Sequence, residues 1–323
     1  LLLEKTLAQY NLQNAQTQSL RSLVNQIYRV TDSDGENYSL RICPVEFRER
    51  GWLQDELTWL AYLAERDEIS VPVPIPNQTG ALVSQVDAPA GTHFSSLFKW
   101  VEGETASGQL TPAVMEQVGQ ITAHLHRAAR EFDDSITAKN FRPNHHYDQT
   151  LATEHREWIA EHATEIGVEN VGLLHAAVDY VVAQLDQVGK DRANYGLIHS
   201  DLHFGNFLVY QGQVSVIDFD QLGWGHYNFD IACVMIELQD EPDDFDERWT
   251  HFLQGYQTVA PLPFQAQGAS IPEELAPFVV ANNLAFLDWV YNASNPQVRK
   301  EKMKWVPEIY ESIRGLSHTH NTN

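Results

Sequence analysis

Two polar clusters, each set against short strand-like segments, constrain this chain more than any other feature. The first reads His199-Ser200-Asp201-Leu202-His203-Phe204-Gly205-Asn206, and the second is Val216-Ile217-Asp218-Phe219-Asp220. Residues 195–200, 207–210 and 214–219 are rich in β-branched and aromatic side chains, so they read as three short strands close together. The intervening carboxylates must then project from strand ends or tight loops. Asp201 precedes Asn206 by five residues, and Asp218 lies twelve beyond Asn206. That arrangement suits phosphoryl transfer. One carboxylate orients a hydroxyl and accepts its proton, while a carboxamide and a second carboxylate hold Mg²⁺ against nucleotide phosphates.

The rest of the chain predicts an α+β architecture in two lobes. Residues 20–30 and 38–43 are strand-like on either side of Asp32-Ser33-Asp34-Gly35, which predicts a hairpin. Trp52, Glu56, Trp59, Leu60 and Leu63 recur at helical spacing. The alternate prolines of residues 71–76 hold the backbone extended. Further strands are expected at 80–86 and 96–101. The pattern changes at Glu102-Gly103-Glu104. Thr111 then caps, and Pro112 opens, a helix over 112–132 whose apolar stripe is Val114, Val118, Ile121, Leu125 and Ala128. Residues 133–150, with His145-His146-Tyr147 at the tip, read as a loop. Helical patterning returns at 154–163, 173–188, 275–291 and 302–313. The expected division is a β-rich lobe at 1–101 and a larger helical lobe at 102–323, hinged near 100–103, with a frayed tail from Ser317.

Composition narrows the function. With 43% hydrophobic residues among 323, the chain can build a substantial core, and wholesale disorder is unlike it. Lys plus Arg number 21 against 44 Asp plus Glu, a formal charge of −23 that disfavours a general nucleic-acid binder. Cys43 and Cys233 are too few for a disulfide scaffold and favour a reducing compartment. No apolar window approaches a membrane span. Leu1-Leu2-Leu3 runs at once into Glu4 and Lys5, so no signal-peptide core develops, and the absent initiator Met reads as a trimmed or incomplete start. The default is a cytoplasmic protein. Fourteen histidines lack zinc-ligand spacing. The acidic residues between Glu237 and Glu247 read as a solvated face, or as one that steers a cationic substrate.

Taken together, His199-Ser200-Asp201-Leu202-His203-Phe204-Gly205-Asn206 and Ile217-Asp218-Phe219-Asp220 resemble the catalytic loop and metal segment of the aminoglycoside phosphotransferase-like enzymes, a branch of the protein-kinase-like fold that includes choline and homoserine kinases. Ser200 replaces the usual glycine, a modest departure provided the backbone there avoids positive φ. The resemblance implies Asp201 as catalytic base, Asn206 and Asp218 as Mg²⁺ ligands, and ATP as donor. His124-Leu125-His126 matches the end of the helix before the catalytic region. Asp230, in Gly223–Asp230, matches the aspartate that braces the loop, and His199 is a structural histidine of that loop. No Gly-x-Gly-x-x-Gly occurs, and residues 24–30 take the place of the nucleotide hairpin, with Gln26 a candidate phosphate contact. Arg41 aligns with the strand lysine of kinases, and Glu56 is its helix partner. Trp100, Val101 and Glu102 match the connection whose backbone meets adenine. Asp220 is weighed as a direct metal or substrate contact, against the rule that successive strand side chains point opposite ways.

The function implied is an ATP-dependent phosphotransferase acting on a hydroxyl of a small, amine- or amino-acid-like acceptor, with no nucleic-acid or membrane partner. Trp158, Tyr147, Trp224, Trp289 and Tyr291 are candidate liners of the acceptor pocket. Two alternatives stay open: a bacterial-type Ser/Thr protein kinase, and a regulatory pseudokinase that binds nucleotide without turnover. The short span from Asp218 to Asp230 leaves no room for a long protein-kinase activation loop.

Overall fold

The computed structural model describes residues 1–22, 25–46, 49–89, 91–132, 142–145, 149–239, 244–265, 271–293 and 295–318, with backbone alone at 21–22, 142–145, 149 and 317–318. The expectations for Tyr147, the His145-His146 side chains, the middle of the acidic run and the last five residues lie outside that description. In chain order the elements are α1 (Leu2–Ala8), β1 (Gln16–Ser22), β2 (Gln26–Thr31), β3 (Asn37–Pro44), α2 (Arg50–Ala64), β4 (Pro74–Ile75), β5 (Ser84–Ala88), β6 (Gly91–Lys99), β7 (Glu104–Thr105) and α3 (Pro112–Glu131). There follow β8 (Arg142–His145), α4 (Gln149–Glu161), α5 (Ala163–Ile166), α6 (Val168–Val188), β9 (Tyr195–Ile198), β10 (Phe207–Tyr210), β11 (Gln213–Val216) and β12 (Gly223–His226). The chain closes with α7 (Tyr227–Gln239), α8 (Phe245–Val259), α9 (Ala276–Tyr291), α10 (Pro296–Lys302) and α11 (Val306–His318).

These elements form two compact units. The first comprises Leu1–Gln109, Glu131–Arg142 and Gly205–Asp220, and the second Leu110–Arg130, Pro143–Phe204 and Gln221–Asn323. The first is β-rich. Its main sheet runs β1-β2-β3-β6-β4, with β5 also paired to β6, and these pairings are antiparallel. The expected strand at 20–30 is in fact two strands, β1 and β2, which pair antiparallel with Ser22 opposite Gln26. Strand β6 starts five residues before the expected 96 because β3, β4 and β5 all use it as a partner, which satisfies its backbone over a longer stretch.

Leucines at the chain start do structural work that composition did not reveal. Helix α1 buries Leu7, which packs with Tyr10, Val30, Leu40, Ile42 and Leu97, while Leu2 and Leu3 lie against that cluster. Helix α2 buries Leu53, Leu57, Leu60 and Leu63 at the helical period, and Trp59 meets Phe132 edge-on at 5.1 Å. Strands β10 and β11 form a hairpin that joins β7 in a second small sheet of this unit.

The second unit is mainly helical. Helices α7 and α9 are buried around most of their circumference, as their predominantly apolar sequences require. Helix α3 runs on to Glu131, so His126 sits inside it rather than at its end. It crosses α8 at glycines: a Cβ on Gly119 would meet the Phe252 carbonyl, and one on Gly255 the Glu116 carbonyl. Strand β9 pairs with β12, Ile198 opposite Gly223, which fixes where the first polar cluster leaves the sheet. Among the described residues no helix is long and apolar enough to cross a membrane.

Candidate active site

Strand alternation sends Arg41, on β3, toward α2, where Glu56 waits. The guanidinium donates to both Glu56 oxygens, Nη1 to Oε1 at 2.8 Å and Nη2 to Oε2 at 2.9 Å. Both residues are buried, at 6% and 4% exposure, so the fork geometry of arginine is used in full. Asp220 Oδ1 stands 4.0 Å from Nη1. Burial opposes the Arg41 charge, but Glu56 first and then Asp220 overcome it and hold the group firmly protonated.

The β10–β11 hairpin delivers the expected metal ligands. Phe207 pairs with Val216, and the Ile217 amide donates to the Asn206 carbonyl at 2.9 Å. Asn206 and Asp218 therefore leave adjacent strands at the same open end. Asp218 is left-handed, with φ 64°, and a 3-10 turn follows over Phe219–Gln221. That reversal defeats the strand alternation that weighed against Asp220. Its Oδ2 accepts from Asn25 Nδ2 at 2.9 Å, so the residue just before β2 is tied to the second polar cluster. Neither Asn25 nor this role for Asp220 was legible in the sequence.

Other residues expected near nucleotide lie in the same unit. Gln26 Oε1 accepts from the Tyr28 hydroxyl at 3.0 Å. The Arg29 guanidinium sits 4.7 Å above the Trp100 ring. The Trp100 amide donates to Asn37, while its indole N–H is buried with no acceptor among the described residues. Val101 is half-buried and Glu102 exposed.

In the second unit, the catalytic-loop candidate is held from behind. Asp230 accepts from the amides of His199 at 3.0 Å and Ser200 at 2.7 Å. His126 Nε2 lies 3.3 Å from Asp230 Oδ2, and its Nδ1 lies 2.9 Å from the Tyr256 hydroxyl. Burial disfavours the Asp230 charge, but His126 and the Ser200 amide reverse that and hold its carboxyl below the usual range. Burial also pushes His126 down, toward the neutral ring. A neutral His126 then donates Nε2–H to Asp230 and accepts the Tyr256 proton at Nδ1.

Ser200 adopts φ 69°. The condition under which serine in place of the usual glycine is a modest departure is therefore not met, because two amides converging on one carboxylate demand a tight reversal at this position. Its buried Oγ has no hydrogen-bond partner among the described residues. The Asp201 amide donates to His199 Nδ1 at 3.3 Å, and His203 Nε2 stands 3.7 Å from Asp201 Oδ2. The Asp201 side chain is 43% exposed, as a group that must meet a substrate needs to be. The Phe204 amide donates to Glu237 Oε2 at 3.4 Å. Behind the loop, Cys233 lies 3.8 Å from the Ser200 carbonyl and 2.9 Å from Asn282 Oδ1. Burial, reinforced by Asp230 and Asp201, raises its thiol well above the ordinary range, so it is an inert donor.

Of the aromatic candidates, Trp158 is buried against Tyr291, Tyr291 shares a hydrogen bond with Tyr310, and Trp224 stacks on Tyr195. Trp289 alone of these four is largely exposed, at 47%. His155 is buried and accepts the Trp158 indole proton at 2.8 Å. Asp246 and Glu247 open α8, where its amide dipoles favour negative charge. Among the described residues no group of three or more His, Cys, Asp and Glu could hold an ion. A carboxamide and a carboxylate at one hairpin end do suit Mg²⁺, a hard ion that keeps most of its waters and takes few protein oxygens.

Residues 18–262 match the family model for the phosphotransferase enzyme family, APH. Amicoumacin kinase of Bacillus subtilis (strain 168) is 24% identical over 265 residues, which span 79% of this chain and 75% of that one. In three dimensions the chain is similar to amicoumacin kinase hAmiN, solved with AMP-PNP, Ca²⁺ and Ami, at a TM-score of 0.78 and 20% identity, covering 97% of this chain and 92% of that one. It is also similar to a microcompartment-associated aminopropanol kinase, at a TM-score of 0.76 and 24% identity, covering 98% and 97% respectively. The α+β architecture, one β-rich unit and one helical, is that of the protein-kinase-like fold.

Proposed function

Because the chain belongs to the phosphotransferase enzyme family, we propose that it moves the γ-phosphoryl group of ATP to a hydroxyl of a small, amine- or amino-acid-like acceptor. The observation that carries this reading is the buried Arg41–Glu56 pair with Asp220 beside it, in the unit that also presents Asn206 and Asp218. A binding module has little use for so many charges removed from water at such cost. In this reading Arg41, oriented by Glu56, donates to a phosphate, and Gln26 contacts the phosphates from the β2 edge. The backbone from Trp100 to Glu102 meets adenine. Asn206 and Asp218 hold Mg²⁺, which supplies positive charge against the triphosphate when bound. Asp201 orients the acceptor hydroxyl and takes its proton, with His199 and Asp230 keeping the loop in shape. Proton and phosphoryl group leave and arrive on the same oxygen, so positioning provides most of the rate.

The test is a screen of small alcohols, amino alcohols and hydroxy amino acids with labelled ATP and Mg²⁺. Asp201→Asn should lower turnover of any accepted substrate by about 10²- to 10⁴-fold, the usual worth of a positioned base, with nucleotide affinity retained. Nucleotide binding without turnover of any acceptor would favour the pseudokinase reading. Phosphorylation of proteins in extract but of no metabolite would favour the protein kinase.

A further inference from the structure

Helices α5, α6, α9 and α11 of the second unit border a cavity of about 420 Å³, within the range that holds a small ligand. It lies away from the catalytic-loop candidate. Asn282 on α9 stands behind that loop, 2.9 Å from the Cys233 thiol, whereas Tyr291, at the far end of α9, lines the cavity. Nine residues separate the two, about 13.5 Å along the axis and about two and a half turns, so they sit on opposite sides of the helix. Helix α11 forms another wall and presents Val306 and Tyr310 one turn apart. Ile166, which ends α5, and Met303, in the 3-10 turn Met303–Trp305 before α11, complete the lining.

Two phenols give the cavity its polarity. Tyr291 and Tyr310 are buried, at 4% and 7% exposure, and their hydroxyls lie 2.7 Å apart. One donates to the other, and the proton of the second has no acceptor among the described residues. Burial pushes both phenols up, and the Glu165 carboxylate adds to that, so the pair stays protonated and keeps its spare donor. A buried donor left unmatched is a standing cost, which an acceptor brought in by a ligand removes. The charges that line the cavity are already matched. Glu165 accepts from Arg299 Nη2 at 2.6 Å, and Glu311 lies 3.6 Å from Arg314. An ion would therefore shed its hydration and find no counter-charge waiting. Ile166, Met303, Val306 and Pro307 offer only apolar contact.

We infer that this cavity is a second ligand site, apart from the catalytic-loop candidate, which takes a neutral, mainly apolar molecule of one or two rings bearing an acceptor oxygen. The oxygen accepts the spare proton of the Tyr291–Tyr310 pair, and the apolar body covers Ile166, Met303 and Val306. No residue given a part in phosphotransfer above lines the cavity. Tyr291, a candidate acceptor contact by its sequence, faces this space instead.

The test titrates acetophenone, ethylbenzene and benzoate into the full chain labelled with 3-fluorotyrosine. The Tyr291 and Tyr310 ¹⁹F resonances are those missing from Y291F and Y310F. Acetophenone should move both saturably and bind about fivefold tighter than ethylbenzene, which lacks the oxygen. Benzoate should bind at least about tenfold more weakly than acetophenone. In the double variant Y291F/Y310F, read from the line width of the ligand, acetophenone should fall to the affinity of ethylbenzene. M303W, which fills the cavity, should abolish binding of both. Melting curves report whether each variant is folded, and if M303W is not, the double variant decides. Ethylbenzene as tight as acetophenone, benzoate tighter than either, binding that survives a folded M303W, or no shift at either tyrosine would each overturn the site. Displacement of acetophenone by a phosphoryl acceptor would merge the cavity with the acceptor site, and so would overturn the inference while leaving the phosphotransfer reading standing.

Discussion

Glu56→Gln separates what the buried pair contributes to stability from what it contributes to chemistry. The substitution keeps one acceptor for Arg41 and removes the charge. Arg41 is 6% exposed, so the uncompensated guanidinium cannot recover its hydration. Breaking one side of such a pair costs about 3–5 kcal/mol. Two partners remain: Asp220 at 4.0 Å and the Phe98 ring at 5.4 Å. The lower end applies, about 3 kcal/mol, or roughly a hundredfold in the folding equilibrium. Urea unfolding of wild type and E56Q measures it directly. The companion variant, Arg41→Met with Glu56→Met, replaces both charges by apolar groups and should recover most of that loss, since paired removal leaves nothing buried and unpaired. It should not recover ATP-dependent turnover. A cost under about 0.5 kcal/mol for E56Q would show that the pair behaves like a solvated surface bridge. Wild-type kcat/KM for ATP in the double variant would refute the phosphate role of Arg41.

Two further predictions concern the second unit. Ser200→Gly should stabilise the protein by about 0.5–1 kcal/mol in the same unfolding assay, because it relieves left-handed strain and removes a buried hydroxyl that has no partner among the described residues; a loss of stability would mean the hydroxyl is used. Burial pushes His155 down to about 4, against about 6.5 for the unfolded chain. The neutral ring therefore favours folding fully above pH 6.5, and this contribution is lost as pH falls toward 4, on the order of 3 kcal/mol. His155→Asn, whose amide oxygen can still accept the Trp158 proton, should flatten that part of the pH–stability curve, while the acid limb that Asp230 and His126 produce persists.

Much of the candidate site could be read from the chain because its residues follow a local order. Asp201, Asn206 and Asp218 lie within one short stretch flanked by strand formers, and the Arg41–Glu56 contact follows from a strand, a turn and an amphipathic helix in sequence. Asp220 was obscured by an alternation rule that holds only while the backbone stays extended, and the left-handed Asp218 ends that regime. Asn25 was hidden for a different reason: its partner is 195 residues away, and nothing local encodes the contact. Glu237 could be seen only as part of an acidic run, since its link to Phe204 depends on how α7 packs. The packing of the opening leucines was equally out of sight, since Leu7 completes the core of the first sheet through partners far along the chain. Strand limits shifted where several partners share one strand, as in β6.

The glycine crossing of α3 and α8 has a consequence for mutagenesis. Gly255 adjoins Tyr256, and Gly119 lies two turns before His126 on its own helix. A methyl at either glycine must lever the two backbones apart, and a close-packed interior passes such a displacement on rather than absorbing it. The hydroxyl of Tyr256 would then withdraw from His126, and the two amides that define the turn before Asp201 would lose their anchor. A deep mutational scan should therefore find both glycines as intolerant as the residues that do chemistry, and would misfile them as such unless protein abundance were read alongside activity.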